Sequence, residues 1–128
     1  MLGAIIGDIV GSVYETKPIK SKKFAFFHPN STFTDDTICT LATADCLLAD
    51  GSFDRYLRGY VRSYPDRGYG QMFFEWAFAD NAPAYGSWGN GAAMRVGPVA
   101  YAADTLEAAL ALARQTAIAS HDHVEAIK

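Results

Sequence analysis

The sequence predicts an all-α protein, with short connections and helices that cross rather than run as one long coil. Three observations carry this. Apolar residues recur at three and four along most of the chain, the spacing of helices that bury one face. No segment sustains the period-two alternation of a half-buried strand. Pro, Gly and Asn clusters cut the chain into pieces of helix length.

The first piece covers residues 2–13, where Leu2, Ile5, Ile6, Ile9, Val10 and Val13 form the apolar stripe. Gly3, Gly7 and Gly11 fall on a neighbouring stripe. Each glycine weakens a helix by about 1 kcal/mol, so the stripe predicts another helix or a loop packed against bare backbone. Asp8 argues against a membrane dimer motif there. In residues 16–33 the periodicity fails around Pro18, Pro29 and Asn30, which predicts a loop whose Phe24, Phe26 and Phe27 need apolar cover. A second helix is predicted over about 35–49, with Gly51 as a left-handed cap, and a third over 53–63, ended before Pro65. Residues 69–79 form an aromatic-rich fourth. Pro83 and the glycine-rich stretch 86–91 interrupt the chain, and short helical pieces follow over 92–102. The clearest helix opens at Asp104, which with Glu107 has the offset of a capping box, and Leu106, Leu110, Ala113 and Ala117 form its stripe.

The 128 residues make one domain, 1–128. Half are hydrophobic and 20% charged, a globular composition, and the net charge of −3 gives no basic excess to attract nucleic acid. Lys20, Lys22 and Lys23 read as a solvated loop. No apolar run approaches the roughly 20 residues of a membrane span, and the opening residues carry Asp8 without a basic leader region. Cys39 and Cys46 lie on one helix face about 10 Å apart, too far for a disulfide. They read as buried free thiols, which fits a reducing, cytoplasmic compartment.

The most chemically loaded stretch is Phe33-Thr34-Asp35-Asp36-Thr37. Consecutive oxygen donors at a helix start can converge on a hard cation such as Mg²⁺. The same residues also suit a helix start without a metal, Thr34 as N-cap and the carboxylates against the positive dipole end. Asp8 and Glu15 stand in the pattern Gly7-Asp8-x-x-Gly11-Ser12-x-x-Glu15. A partly buried Asp8 needs a partner, either Arg95 or a group that holds a metal. Gly89-Asn90-Gly91 offers exposed backbone N–H groups suited to a sugar or phosphate, and is equally an ordinary turn. Ser120-His121-Asp122-His123 has the outline of a metal site, and of a helix junction in which Ser120 or Asp122 caps the next helix.

In this order the motifs resemble the ADP-ribosylglycohydrolase family, which includes the bacterial enzyme that reactivates ADP-ribosylated dinitrogenase reductase. The residues that carry the likeness are Gly3 to Asp8 with Gly11 and Glu15, Phe33 to Thr37, Gly89 to Arg95, and Ser120 to His123. The resemblance implies a compact orthogonal helical fold and a dinuclear Mg²⁺ site in a cleft. It implies Thr34, Asp35 and Asp36 as metal ligands, Glu15, Asp35 and Asp36 as catalytic carboxylates, and Gly89, Asn90, Gly91 and Ser120 against the substrate. The implied reaction is Mg²⁺-dependent cleavage of the glycosidic bond that links ADP-ribose to a protein side chain or small molecule.

Members of the family are usually longer, and a C-terminal Asp-x-Asp-Thr/Ser motif closes their metal site. This chain corresponds to the N-terminal half and lacks that motif. The alternative function is therefore a shortened, inactive homologue that binds ADP-ribose or a nucleotide, or serves as an oligomerising module. Apolar faces left without partners predict a homodimer or higher homo-oligomer.

Overall fold

A computed structural model describes residues 1–128, and every regular element in it is helical. The order is α1 (Leu2–Gly11), a 3₁₀ turn (Ser12–Tyr14), α2 (Asp35–Leu48), α3 (Phe53–Ser63), α4 (Gln71–Phe78), α5 (Gly91–Met94), α6 (Val99–Ala102), α7 (Leu106–Ile118) and α8 (Val124–Ile127). The predicted boundaries of α2 and α3 agree within a residue, because strong punctuation flanks both.

The core lies where α2, α3 and α4 meet. Cys39 and Ala42 from α2, Leu57 and Val61 from α3, and Phe73, Trp76 and Ala77 from α4 form one buried cluster. Leu57 and Val61 sit four apart on one face of α3 and are fully buried. The opposite edge of that helix finishes its neighbour. Arg58 donates to Trp76, Ala79 and Ala82 carbonyls and lies 4.0 Å over the Trp76 ring. Arg62 donates to the Ala77 carbonyl. The Trp76 and Ala77 carbonyls are among those that the end of α4 leaves without helical partners, at the negative end of its dipole, and Ala79 and Ala82 lie just beyond it. Both cysteines are buried and free, as the sequence predicts.

Four local expectations are corrected. The left-handed residue after α2 is Asp50, at φ 48, not Gly51. Gly51 is required instead because any Cβ there would run into the Tyr56 ring. The cap of α7 is Thr105, whose hydroxyl accepts from Ala108 N at 3.1 Å, so Asp104 lies outside the helix. Leu106 and Leu110 point to solvent, at 70% and 62% exposure, and only Thr116 and Ala117 of α7 are fully covered. The apolar stripe therefore holds for the last turns of that helix alone.

The fourth correction concerns α1. Nothing comes within 4 Å of a Cβ built on Gly3, Gly7 or Gly11, so no element of this chain packs on the glycine stripe. Leu2 and Ile6 are exposed and Val10 alone is buried. The apolar cover expected for Phe24, Phe26 and Phe27 is likewise missing: they touch one another and Tyr14 but stay exposed and do not reach the core. With 22 of 128 residues buried, the core covers the centre of the molecule and leaves its N-terminal flank apolar and open.

Candidate functional site: a carboxylate edge and a braced cleft

The start of α2 is built by a residue from another helix. Thr34 occupies the N-cap position with extended backbone, but its side chain caps nothing. Asp8 of α1 does that work. Its Oδ2 accepts from the backbone N–H of Thr34 at 2.8 Å and of Thr37 at 3.2 Å. Its two oxygens also accept from the Thr34 and Thr37 hydroxyls, each at 2.5 Å. A carboxylate against a helix N-terminus satisfies orphan donors and favours the dipole. Asp8 therefore has no need of Arg95, and Arg95 does not approach it.

Around this clamp stand Asp35, Asp36 and Glu15. Burial, then repulsion from Asp36 and more weakly from Glu15 and Asp8, raises Asp35 from 3.8 to about 6, against a lowering backbone hydrogen bond. Burial and Asp8 raise Asp36 as well. Glu15 is raised by burial, Asp8 and Asp36, although it lies on the surface. No cation relieves the repulsion, since both ion pairs of the chain, Arg62–Asp80 and Lys128–Glu125, lie elsewhere. Arg67 is near, with its carbonyl accepting from Asp35 N at 2.8 Å, but its guanidinium lies 4.0 Å over the Phe33 ring and donates to Thr32. An unneutralised all-oxygen set fits a hard cation by donor type. By number it falls short: no three His, Cys, Asp or Glu side chains converge on a point that could hold a metal ion.

Asp35 also lines a cleft of about 330 Å³, opposite Gly89, Asn90, Gly91, Tyr85, Arg95 and His121. The fold thus brings Asp35 and the glycine-rich loop to one cavity, while Thr34, Asp36 and Glu15 stay outside its lining. Ser120 is absent from the lining too. It is fully buried, one layer behind.

From there Ser120 contacts Arg95 and His121, which both line the cleft. Arg95 is fully buried, donates from Nη2 to the Thr116 carbonyl at 2.5 Å and to Ser120 Oγ at 2.9 Å, and leaves Nε and Nη1 without partners. Burial lowers its affinity for protons, to about 10, which still leaves it charged at neutral pH. A buried cation with two free donors and no carboxylate is expensive unless a ligand completes it. His121 packs against Phe73 and Tyr85, with centroids at 6.1 and 5.7 Å, and burial and the Arg95 charge lower it to about 4. Gly91 is glycine for the sake of this ring, because a Cβ there would stand 2.8 Å from His121 Nε2.

The segment 120–123 is a brace. The Ser120 carbonyl accepts from Tyr85 N at 3.3 Å and Asp122 Oδ1 from Gly86 N at 2.6 Å, which ties the glycine-rich loop to the end of α7. The cap of α8 is His123, whose Nδ1 accepts from Glu125 N at 3.1 Å, rather than Ser120 or Asp122.

A carboxylate edge stands beside a glycine-rich cleft, and sequence comparison decides the family. The sequence model of the ADP-ribosylglycohydrolases matches residues 1–128. The chain belongs to the ADP-ribosylglycohydrolase family. It is similar to ADP-ribosylhydrolase ARH3 of Xenopus tropicalis, at 28% identity over 94% of this chain and 43% of the relative. It is likewise similar to ADP-ribosylhydrolase ARH3 of Mus musculus and of Homo sapiens, each at 30% identity over 94% of this chain, covering 42% and 43% of those proteins. The chain thus spans less than half the length of these relatives. Within the family frame, Arg95 and His121 are the cleft residues that residue-by-residue reading undervalues. Their signal is weak: an arginine that closes a run of small residues, and the first histidine of a His-x-His pair.

Proposed function

We propose that the chain supplies one side of an ADP-ribosylglycohydrolase site, binding the ADP-ribosyl group in the cleft and a Mg²⁺ ion at the carboxylate edge. The observation that carries this reading is the polarity of the cleft, with uncompensated carboxylate at Asp35 and an uncompensated buried cation at Arg95. A diphosphate suits Arg95, and ribose hydroxyls under a cation suit Asp35. Thr34, Asp35 and Asp36 would hold the metal. A threonine hydroxyl that gives its proton to Asp8 keeps its lone pairs for a cation. A bound Mg²⁺ would orient the ribose hydroxyls and activate water for attack at the anomeric carbon.

The chain's own part is positional. Gly89, Asn90 and Gly91 give the ligand a close backbone approach, and Arg95 takes its negative charge. Glu15, with its raised proton affinity, accepts the proton of the attacking water. Asp35 and Asp36 face the positive charge that builds on the ribose ring. The substrate is an ADP-ribosylated side chain or a small ADP-ribosyl compound, rather than nucleic acid or membrane lipid. Buried free thiols support a cytoplasmic setting. No helix is long and apolar enough to cross a membrane.

Because no three ligands converge, a second reading is favoured by the same geometry: this chain alone binds ADP-ribose without turnover. Isothermal calorimetry separates the outcomes. Mg²⁺ titrated with and without ADP-ribose is expected to bind the wild type and not Asp35→Ala/Asp36→Ala. No Mg²⁺ binding in the wild type defeats the hydrolase reading, and ADP-ribose binding with no hydrolysis selects the binding module.

The exposed apolar face of α1 supports self-association of this chain, in which a second copy covers Leu2 and Ile6.

A further inference from the structure

Ser120 is one of the few fully buried hydroxyls of the chain, and its Oγ has two polar neighbours: Arg95 Nη2 at 2.9 Å and His121 Nδ1 at 2.8 Å. A guanidinium can only donate, so Oγ accepts from Arg95. The hydroxyl's own proton then has a single acceptor within reach, His121 Nδ1. Were Nδ1 protonated instead, Oγ would accept twice and its proton would be left unsatisfied in a buried place, which is disfavoured. Burial and the Arg95 charge keep the ring neutral, in agreement with this arrangement. A neutral ring whose Nδ1 accepts carries its proton on Nε2. That atom makes no hydrogen bond within the chain and opens at the cleft beside Gly91.

We propose that Ser120 is a positioning residue that fixes His121 as the Nε2–H tautomer, so that the cleft presents a hydrogen-bond donor for an acceptor-only oxygen such as a phosphoryl oxygen. The relay runs from Arg95 through Ser120 to His121, and Phe73 and Tyr85 hold the ring plane. Its specificity consequence is that a ligand hydroxyl that must donate finds no acceptor on His121. The identity of the ligand rests on the ADP-ribose reading above, but the tautomer does not.

Long-range ¹⁵N–¹H correlation spectra of the histidine-labelled chain test it without ligand. The chain has three histidines, and His121→Gln identifies the relevant signals. The expected wild-type spectrum at neutral pH has Nε2 protonated and Nδ1 bare, by at least about ten to one. Ser120→Ala is expected to give a tautomer mixture, and Ser120→Thr, which keeps the hydroxyl, to restore the wild-type pattern. A proton on Nδ1 in the wild type overturns the proposal whether or not the variants fold, and so does an unchanged tautomer in Ser120→Ala. Titration with ADP-ribose and with inorganic pyrophosphate then reads the consequence: Ser120→Ala should weaken both about threefold to tenfold. Unweakened binding in a variant with a mixed tautomer overturns the donor role. Failure of the wild type to bind ADP-ribose defeats the functional reading and leaves the tautomer result standing.

Discussion

The two sides of the cleft are built by opposite means. On the side of Arg95, Ser120 and His121, polar groups are fully buried, hydrogen-bonded to one another and wedged between aromatic rings. On the side of Asp8, Glu15, Asp35 and Asp36, carboxylates crowd at the surface around a single clamp, on a helix that hardly touches the core. The first side is preorganised by packing. The second is held together by Asp8, while burial and then mutual repulsion disfavour the ionised form of its other carboxylates. One wall is thus fixed by packing, and the other answers to the charge around it.

The largest effect that would break this contrast comes from the clamp. Asp8→Ala removes four hydrogen bonds and a dipole partner from the start of α2, and should destabilise the chain by about 2–3 kcal/mol in urea unfolding. A loss below about 0.5 kcal/mol would mean that the carboxylate edge does not depend on α1. On the rigid wall, Gly91→Ala should cost about 2 kcal/mol, because the methyl meets a His121 ring that Phe73 and Tyr85 hold in place. Gly89→Ala, where the nearest atom is Ser87 Oγ at 3.5 Å, should cost far less, and equal losses would show that the wall can give.

Burial and like charge at the other edge have a sign that pH exposes. Asp35 is raised in the fold to about 6 from 3.8, so its ionised form is disfavoured there. Its contribution is fully present below about pH 4 and lost as pH rises through about 6. Asp35→Asn removes that loss. At pH 7 and without divalent cations the variant should be more stable than wild type by about 1 kcal/mol after allowance for solvent screening, and the advantage should vanish near pH 4. Working in the difference matters, because His121, lowered to about 4 from 6.5, acts with the opposite sign and loses stability as pH falls through the same window. Added Mg²⁺ should erase the advantage at pH 7. An advantage that does not change with pH would refute the electrostatic account. The smallest effect belongs to Ile6→Ser on exposed α1: a change in melting of under about 0.5 kcal/mol, with self-association seen by light scattering reduced.

Helix order and most boundaries were legible in the sequence, since punctuation and apolar spacing are local signals. Errors arose where a neighbour decides. Gly51 and Gly91 read as conformational or ligand-facing glycines, yet the space they leave is filled by Tyr56 and His121, five and thirty residues away in the chain. Thr34 read as a cap because threonine usually is one, and the cap came from Asp8 instead. The stripe of Leu106 and Leu110 predicted burial, but spacing alone cannot say whether anything lies opposite. At the site, Asp35 and Gly89 to Gly91, each singled out in the sequence, line one cleft, whereas the buried position of Ser120 depends on Arg95 across 25 residues.

The Asp8 clamp has a topological consequence as well. It joins residues 26 apart and thereby closes the exposed segment between the 3₁₀ turn and α2 as a loop. The entropic penalty for closing a flexible loop rises with the logarithm of its length, about 0.6 kcal/mol for each doubling. Residues can therefore be inserted between Thr16 and Thr32 at little expense to the carboxylates at its base. That makes the segment the natural place in this fold for length to vary and for new surface contacts to be added without rebuilding the edge beneath.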